Sequence, residues 1–315
     1  MKINMKPLIS VVMPAYNGEK YIGKAIESIL CQTYDNFELV IVEDASTDKT
    51  LDIIKEYSDE RIVLIQNSEN KGIAFSTNLG IDQSHGKYIA LLDDDDMATP
   101  ERLEWQLEYM EEHKEIDILG GRSACIDKDG NFLKYDPEPL RNPKYIKANL
   151  LFCDRKFANC TTMMRKDFLM DNNLRYKDNC LGMQDVKFFM DSSKVGNISS
   201  IDRLLHFKRL HDEEETVRAR KFLGKERAAL YAQFQRESIK QSGFYLTEEH
   251  LQAINDNISE MRKASYTKED IHNLYEAFSE LISQARAMQI DYLTELEFAC
   301  KKILGDRVLT KADIF

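Results

Sequence analysis

The chain is poor in turn-making residues over its last third. Of its 315 residues only six are proline, none after Pro143, and ten of the thirteen glycines lie at or before Gly196. The last hundred residues are therefore expected to be mostly helical. Long apolar runs are also lacking. Leu8 to Met13, Phe37 to Val42 and Tyr88 to Leu92 stop far short of the roughly 18–20 residues a membrane-spanning helix needs, so no transmembrane segment is expected. The amino-terminal MKINMKPLIS has two lysines but no apolar stretch followed by a small-residue cleavage site, which predicts a cytoplasmic protein. The six cysteines (Cys31, Cys125, Cys153, Cys160, Cys180 and Cys300) form no CxxC pair and no zinc-ligand spacing, so reduced and mostly buried thiols are expected. No GxGxxG follows the first strand, which removes a dinucleotide-dependent oxidoreductase. Basic residues are outnumbered, 43 against 54 acidic, for a net charge of −11. That balance argues against a nucleic-acid partner, whose phosphates need Lys and Arg, and it poses a problem for any anionic ligand.

With 43% hydrophobic and 31% charged residues, the composition is that of a globular protein of one large domain or two. Short β-rich runs alternate with helical patterns through the first part. Strands are expected at about 8–13, 37–43, 61–66 and 87–92, and helices at about 18–31, 72–84 and 100–112. Such alternation implies right-handed crossovers and a largely parallel sheet covered on both faces. Beyond Glu115 the pattern is irregular. A hairpin is expected around Asp127-Lys128-Asp129-Gly130, whose spacing fits a turn rather than a calcium loop, then a helix from about 184 and a strand at about 197–211.

The strongest chemical signal is Asp93-Asp94-Asp95-Asp96, directly after the apolar strand 88–92. Thr99-Pro100-Glu101 follows and is expected to cap the next helix. An acidic run is ordinarily a solvated loop. Here it stands at the carboxyl edge of a parallel strand, where open α/β sheets bind ligands, and crowded carboxylates repel one another unless a hard cation joins them. A metal–diphosphate site is the better reading. At the end of the first strand, Pro14, Ala15, Tyr16, Asn17 and Gly18 form a strand-to-helix turn in which Tyr16 offers a stacking face and Asn17 a helix cap. At the end of the second, Asp44 places a carboxylate where a base N–H could donate, and Ser46 or Thr47 are alternatives for a helix cap.

The stretch from Val11 to Thr50, VVMPAYNGEKYIGKAIESILCQTYDNFELVIVEDASTDKT, followed by NKGIAFSTNLGIDQSHGKYIALLDDDDMATPERLEWQ, resembles the family 2 glycosyltransferases, nucleotide-sugar enzymes with the GT-A fold. The resemblance covers about residues 8–112 closely and 113–211 more loosely. It implies an α/β fold, a GT-A type Rossmann-like and mostly parallel sheet flanked by helices, with a catalytic domain over 1–215 and a helical region over 216–315. It places Pro14, Ala15, Tyr16 and Asn17 around the nucleotide, Asp44 against a uracil ring and Lys71 in a loop approaching the nucleotide. It sets Asp93 and Asp95 on the Asp-x-Asp motif, with Asp95 a direct ligand of Mn2+ or Mg2+, and Asp94 and Asp96 near the ribose and donor sugar. Gly182-Met183-Gln184-Asp185 resembles the Glu-Asp signature whose second member is the catalytic base, which is here Asp185. Lys208-Arg209-Leu210-His211 resembles a late Arg-x-His element, making His211 a further metal or phosphate contact. Glu43, Ala45 and Gln184 depart from the usual Asp, Gly and Glu.

The resemblance thus implies inverting transfer of a sugar from a nucleotide-sugar, UDP favoured, to a glycan or lipid-linked saccharide in cell-surface polysaccharide synthesis. Processive synthases are set aside, because Gln233-Phe234-Gln235-Arg236 is followed by Glu237 where their motif has Trp. A nucleotidyltransferase and a non-catalytic sugar-nucleotide binding module are the alternatives. Residues 216–242 carry Arg218, Arg220, Lys221, Lys225, Arg227, Arg236 and Lys240 against Glu226 and Glu237, with Leu223, Leu230, Tyr231 and Phe234 at helical spacing. This basic amphipathic helix reads either as a peripheral contact with an anionic membrane surface or a lipid-phosphate acceptor, or as a helix packed on the catalytic domain with a wet face. Helical patterns near 247–261, 268–289 and 290–304 suit a small bundle or a homodimer contact.

Overall fold

The computed structural model describes residues 7–153, 158–211, 224–258 and 266–309. In chain order the elements are β1 (Ile9–Ala15), α1 (Ile22–Leu30), β2 (Phe37–Glu43), α2 (Thr50–Lys55), β3 (Ile62–Gln66), α3 (Ile73–Gln83), β4 (Tyr88–Leu91), β5 (Met97–Ala98), α4 (Arg102–Glu112), β6 (Ile118–Ile126) and β7 (Phe132–Tyr135). They continue with α5 (Pro143–Leu150), β8 (Met163–Arg165), α6 (Lys166–Asp171), α7 (Gln184–Val195), β9 (Ile198–Arg209), α8 (Gly224–Gln241), α9 (Glu248–Ile258), α10 (Lys268–Ala287) and α11 (Leu293–Leu309). Two compact units result. The first comprises Met1–Arg141, Lys156–Asn179 and Val195–Glu214, and the second Asn142–Arg155, Cys180–Lys194 and Glu215–Phe315. Each unit is thus built from several chain segments rather than one, and the boundary expected near residue 215 lies outside the described residues.

The first unit holds the sheet, ordered β3-β2-β1-β4-β8-β6-β9-β5 with β7 added on β6. β1 lies parallel between β2 and β4, and the long β6–β9 ladder is also parallel. The short additions β8, β5 and β7 are antiparallel. Strand β1 reads ISVVMPA, nearly continuous in apolar residues because both faces are covered. Ile22, Ala25, Ile26 and Ile29 of α1 recur at helical period and are fully buried in a core shared with Ile9, Val11 and Met13.

Helix α3 packs on β1 and β2 through Gly80, where a Cβ would stand 2.4 Å from Val12 Cγ1 and 3.3 Å from Val42 Cγ2. Both valines are fully buried in central strands and have no room to retreat. Gly80→Ala gains up to about 1 kcal/mol of helix propensity but costs about 1–3 kcal/mol by overpacking, so a net loss of about 1–2 kcal/mol is expected. Thermal denaturation should show a fall of roughly 2–8 °C in Tm, and an unchanged or raised Tm would refute this packing.

Several local expectations change. Helix α1 begins at Ile22 rather than near 18, and in the loop before it the Gly18 and Glu19 amides donate to Thr50 Oγ1 at 2.8 Å and Asp48 Oδ2 at 3.0 Å. Asn17 does not cap it, and Ser46 and Thr47 do not cap α2. Thr99 does not cap α4 either; its hydroxyl donates to the Leu204 carbonyl at 2.9 Å. The short helices α2 and α5 were not anticipated, being too brief to show a helical period. The hairpin is present: Asp127 accepts from the Asp129 and Asn131 amides at 2.9 and 2.8 Å, and Gly130 takes φ +94°. All six cysteines are free, and all but Cys31 are buried.

The second unit gathers α5, α7 and α8–α11. Its core includes Phe152, Ile239, Phe244, Ile254, Leu274, Phe278, Leu281 and Leu296. In α8, Tyr231 and Phe234 are buried, Arg227 is buried and donates to the Leu181 carbonyl, and Arg236 pairs with Glu248. Lys225 and Lys240 are exposed, whereas Arg218, Arg220 and Lys221 lie outside the described residues. Among the described residues no helix is long and apolar enough to cross a membrane.

Candidate active site

The carboxyl ends of β1 and β2 are joined by hydrogen bonds between their loops. Asn17, in the left-handed region at φ +53°, donates its amide to Ser46 Oγ at 3.0 Å and accepts from the Thr47 amide on Oδ1 at 2.8 Å. Glu19 accepts from the Lys49 amide at 3.1 Å. The polar residues of both turns are thus spent on each other. Ala45 sits at φ +57°, a conformation that favours the glycine more usual there. Glu43 is buried and accepts from the Ser46 amide at 2.6 Å. Pro14 and Ala15 belong to the end of β1, paired with Val42 and Glu43, while the Tyr16 ring stands 43% exposed beyond them.

Asp44 is buried. Its Oδ1 accepts from Asn67 Nδ2 at 2.6 Å and the Lys71 amide at 2.9 Å, and its Oδ2 from the Gly72 amide at 2.8 Å. It therefore fixes the loop before α3. Lys71 enters this contact through its backbone, and its ammonium pairs with Glu69.

After β4 the four aspartates separate into distinct roles. Asp94 turns toward β1 and accepts the Tyr16 amide at 3.0 Å. A Cβ at Gly18 would lie 2.5 Å from Asp94 Oδ2, so a larger residue there would displace this carboxylate. Asp93 accepts from the Cys160 thiol at 2.6 Å. Asp96 points inward, 3% exposed, with Oδ2 on His206 Nε2 at 2.7 Å and Oδ1 accepting the Arg209 amide at 2.8 Å. Asp95 Oδ2 lies 2.8 Å from His211 Nε2. Carboxylate oxygens of Asp93, Asp95 and Asp96 fall within 4.8 Å of one another. Burial, then the charges of Asp96 and Asp95, push the Asp93 carboxyl up, and burial with Asp95 raises Asp94. The cluster is thus electrostatically unfavourable as it stands, and a divalent cation is the species that would relieve it.

The residues that hold this arrangement come from β9 and α4. Arg209 donates its Nε to the Asp95 carbonyl at 2.9 Å and its Nη1 to the Asp127 carbonyl at 3.2 Å, and its guanidinium lies 4.7 Å from the Tyr21 ring centre. Tyr21 in turn packs on His211, centroids 5.1 Å apart. Burial, then the Arg102 cation, push His206 down to about 3, so its ring is neutral. With Asp96 as acceptor, the proton sits on Nε2, leaving Nδ1 toward Ser123 Oγ at 2.9 Å. Arg102 is fully buried and donates Nη2 to the Leu91 carbonyl at 2.8 Å, holding the end of β4. Arg209 belongs to the Arg-x-His element read from the sequence, whereas His206, Arg102 and Cys160 carried no motif. The only signal was charge and polarity inside otherwise apolar strand and helix patterns.

Asp185 lies in the second unit, in the first turn of α7, and its Oδ1 accepts the Val186 amide at 2.6 Å. The turn before it is tight, with Leu181 at φ +50° and Gly182 at φ +72°.

The family described as glycosyl transferase family 2 matches residues 10–172. An uncharacterized glycosyltransferase of Methanocaldococcus jannaschii is 40% identical over 190 residues, covering 59% of this chain and 64% of that protein. The putative teichuronic acid biosynthesis glycosyltransferase TuaG of Bacillus subtilis is 37% identical over 155 residues, 48% of this chain and 61% of TuaG. The matches thus span less than two thirds of either relative. Among solved structures, S. aureus TarS 1-349 in complex with UDP-GlcNAc has a TM-score of 0.64 at 20% identity, covering 93% of this chain and 92% of that one, a likeness of fold. The GT-A type sheet flanked by helices is the fold observed, and because the family match spans more than half of its length, the chain belongs to glycosyl transferase family 2.

Proposed function

We propose that the protein transfers a single hexose or N-acetylhexosamine, with inversion, from a UDP-sugar to a hydroxyl of a glycan or lipid-linked saccharide in the cytoplasm, during synthesis of a cell-surface polysaccharide. The observation that carries this reading is the Asp95–His211 pair beside Asp93 at the carboxyl end of β4. Oxygen donors with one imidazole suit Mn2+ or Mg2+, so these residues fit a divalent cation. Asp95, Asp93 and His211 would hold it, and when bound it neutralises the charge growing on a departing diphosphate. Asp96 serves beneath them as the anchor to β9.

The exposed Tyr16 ring offers a face to the nucleotide base, while Asp44 retains acceptor capacity on Oδ2 for a uracil N–H. Asp185 acts as general base on the acceptor hydroxyl. The known relatives support the donor and setting: TarS was solved with UDP-GlcNAc, and TuaG and GgaB are named for teichuronic and minor teichoic acid biosynthesis.

Thermal denaturation with UDP-sugars and Mn2+ tests the reading, since a ligand at 100 times its Kd adds about 2.7 kcal/mol to apparent stability. A rise in Tm that needs both UDP-sugar and Mn2+ is expected, and no shift with any UDP-sugar would sink it. Release of UDP rather than pyrophosphate separates transfer from nucleotidyl chemistry.

A further inference from the structure

Strand β7 carries an exposed aromatic pair that the donor chemistry does not use. Phe132 and Tyr135 are 55% and 60% exposed, with ring centroids 5.0 Å apart and planes at 58°. Residues three apart in a regular strand point to opposite faces. Here Phe132 pairs with Ile126, Lys134 with Cys125 and Tyr135 with Ala124, so Leu133 is an extra residue in a bulge. The bulge turns both rings to the side shared by Ala124 and Ile126, and bulges next to active sites commonly re-aim side chains in this way. Ile126 is itself in register with Arg209 on β9. Two strand spacings, about 10 Å, therefore separate Phe132 from Arg209, whose Nε holds the Asp95 carbonyl. The rings stand on the same sheet face as that arginine.

We propose that Phe132 and Tyr135 form a stacking platform for the acceptor saccharide, an inference that rests on the transferase reading above. The apolar C–H face of a pyranose packs on an aromatic face, and its hydroxyls need fixed donors and acceptors around the ring. Arg122 supplies such a rim. It lies 5.9 Å from the Tyr135 ring centre and bonds Asp202 at 3.0 Å, and Asp202 also takes Arg141 at 2.6 Å. These cations are already paired with carboxylates, which suits hydroxyl recognition better than an anionic lipid surface. A second copy of the strand is disfavoured because Lys134 sits on the edge, and an edge lysine opposes strand addition. The exposed rings are thus left to a small, neutral, hydroxyl-rich ligand.

Saturation-transfer NMR with cellotriose, maltotriose and chitotriose tests the platform without turnover. At least one should bind the wild-type chain, bind the double variant Phe132→Ser, Tyr135→Ser about tenfold more weakly or worse, and bind Phe132→Trp normally. The Tm rise given by UDP-sugar with Mn2+ should be the same in the double variant, showing that the fold and donor site are intact. Equal binding by the double variant would overturn the proposal. So would silence of all three sugars with the wild type, or a wild-type dimer that the double variant turns into monomer. Saccharide binding that is lost with the rings in a protein that UDP-sugars fail to stabilise would support the platform and sink only the donor reading.

Discussion

Asp185→Asn is expected to lower sugar transfer by about 100- to 10,000-fold, the usual worth of a general base, while leaving the metal-dependent rise in Tm with UDP-sugar unchanged. The position of the residue explains why the loss should be chemical. Asp185 lies in the first turn of α7, where the positive end of the helix and the Val186 amide at 2.6 Å favour the anion. An anionic carboxylate is what a base must be before it takes the proton of an acceptor hydroxyl. Asparagine keeps the size and can still accept the Val186 amide, while the basicity of the carboxylate is lost. Transfer and donor binding measured on the same preparation decide the matter: near-normal turnover removes Asp185 from the mechanism.

Asp95→Asn is the second large effect. Neutralising charge on a departing diphosphate is worth several kcal/mol, so transfer should fall at least about a hundredfold. The Mn2+-dependent Tm shift with UDP-sugar should be lost with it. Among the described residues the Asp95 side chain bonds His211, at the surface of the cluster. Its removal leaves the sheet connections in place, so Tm without ligands should hardly move. Asp96→Asn should behave in the opposite way, because that carboxylate is buried and joins His206 and the Arg209 amide. Weakening hydrogen bonds to a buried carboxylate costs about 1.5–3 kcal/mol, which should appear in the ligand-free Tm. If Asp95→Asn destabilises as much as Asp96→Asn, or retains a Mn2+-dependent shift, the division of roles among the four aspartates is wrong.

Much of the first unit follows from local pattern. Strands β1 to β4 and helices α1, α3 and α4 answer to apolar runs and helical spacing that can be read a few residues at a time. The position of the acidic quartet after β4 is local too. Other features had no local signal. Helix α1 starts at Ile22, and the amides of Gly18 and Glu19 before it are tied to Thr50 and Asp48, some thirty residues away. The bulge at Leu133 is set by pairing with β6, and nothing in Phe132-Leu133-Lys134-Tyr135 alone shows which rings share a face.

The sequence by itself determined that this chain builds a parallel sheet, sets a crowd of carboxylates at one strand end and ends in helices. Those properties depend on composition and short periodicities, which neighbouring residues settle among themselves. The tertiary structure decided which aspartate does what. Asp93 meets Cys160 67 residues away, Asp96 meets His206 110 residues away and Asp95 meets His211 116 residues away. Four identical side chains in a row differ only in what surrounds them. Those surroundings come from β9 and the residues just after it, the turn after β1 and the turn at Cys160, which reach the end of β4 only when the sheet is assembled.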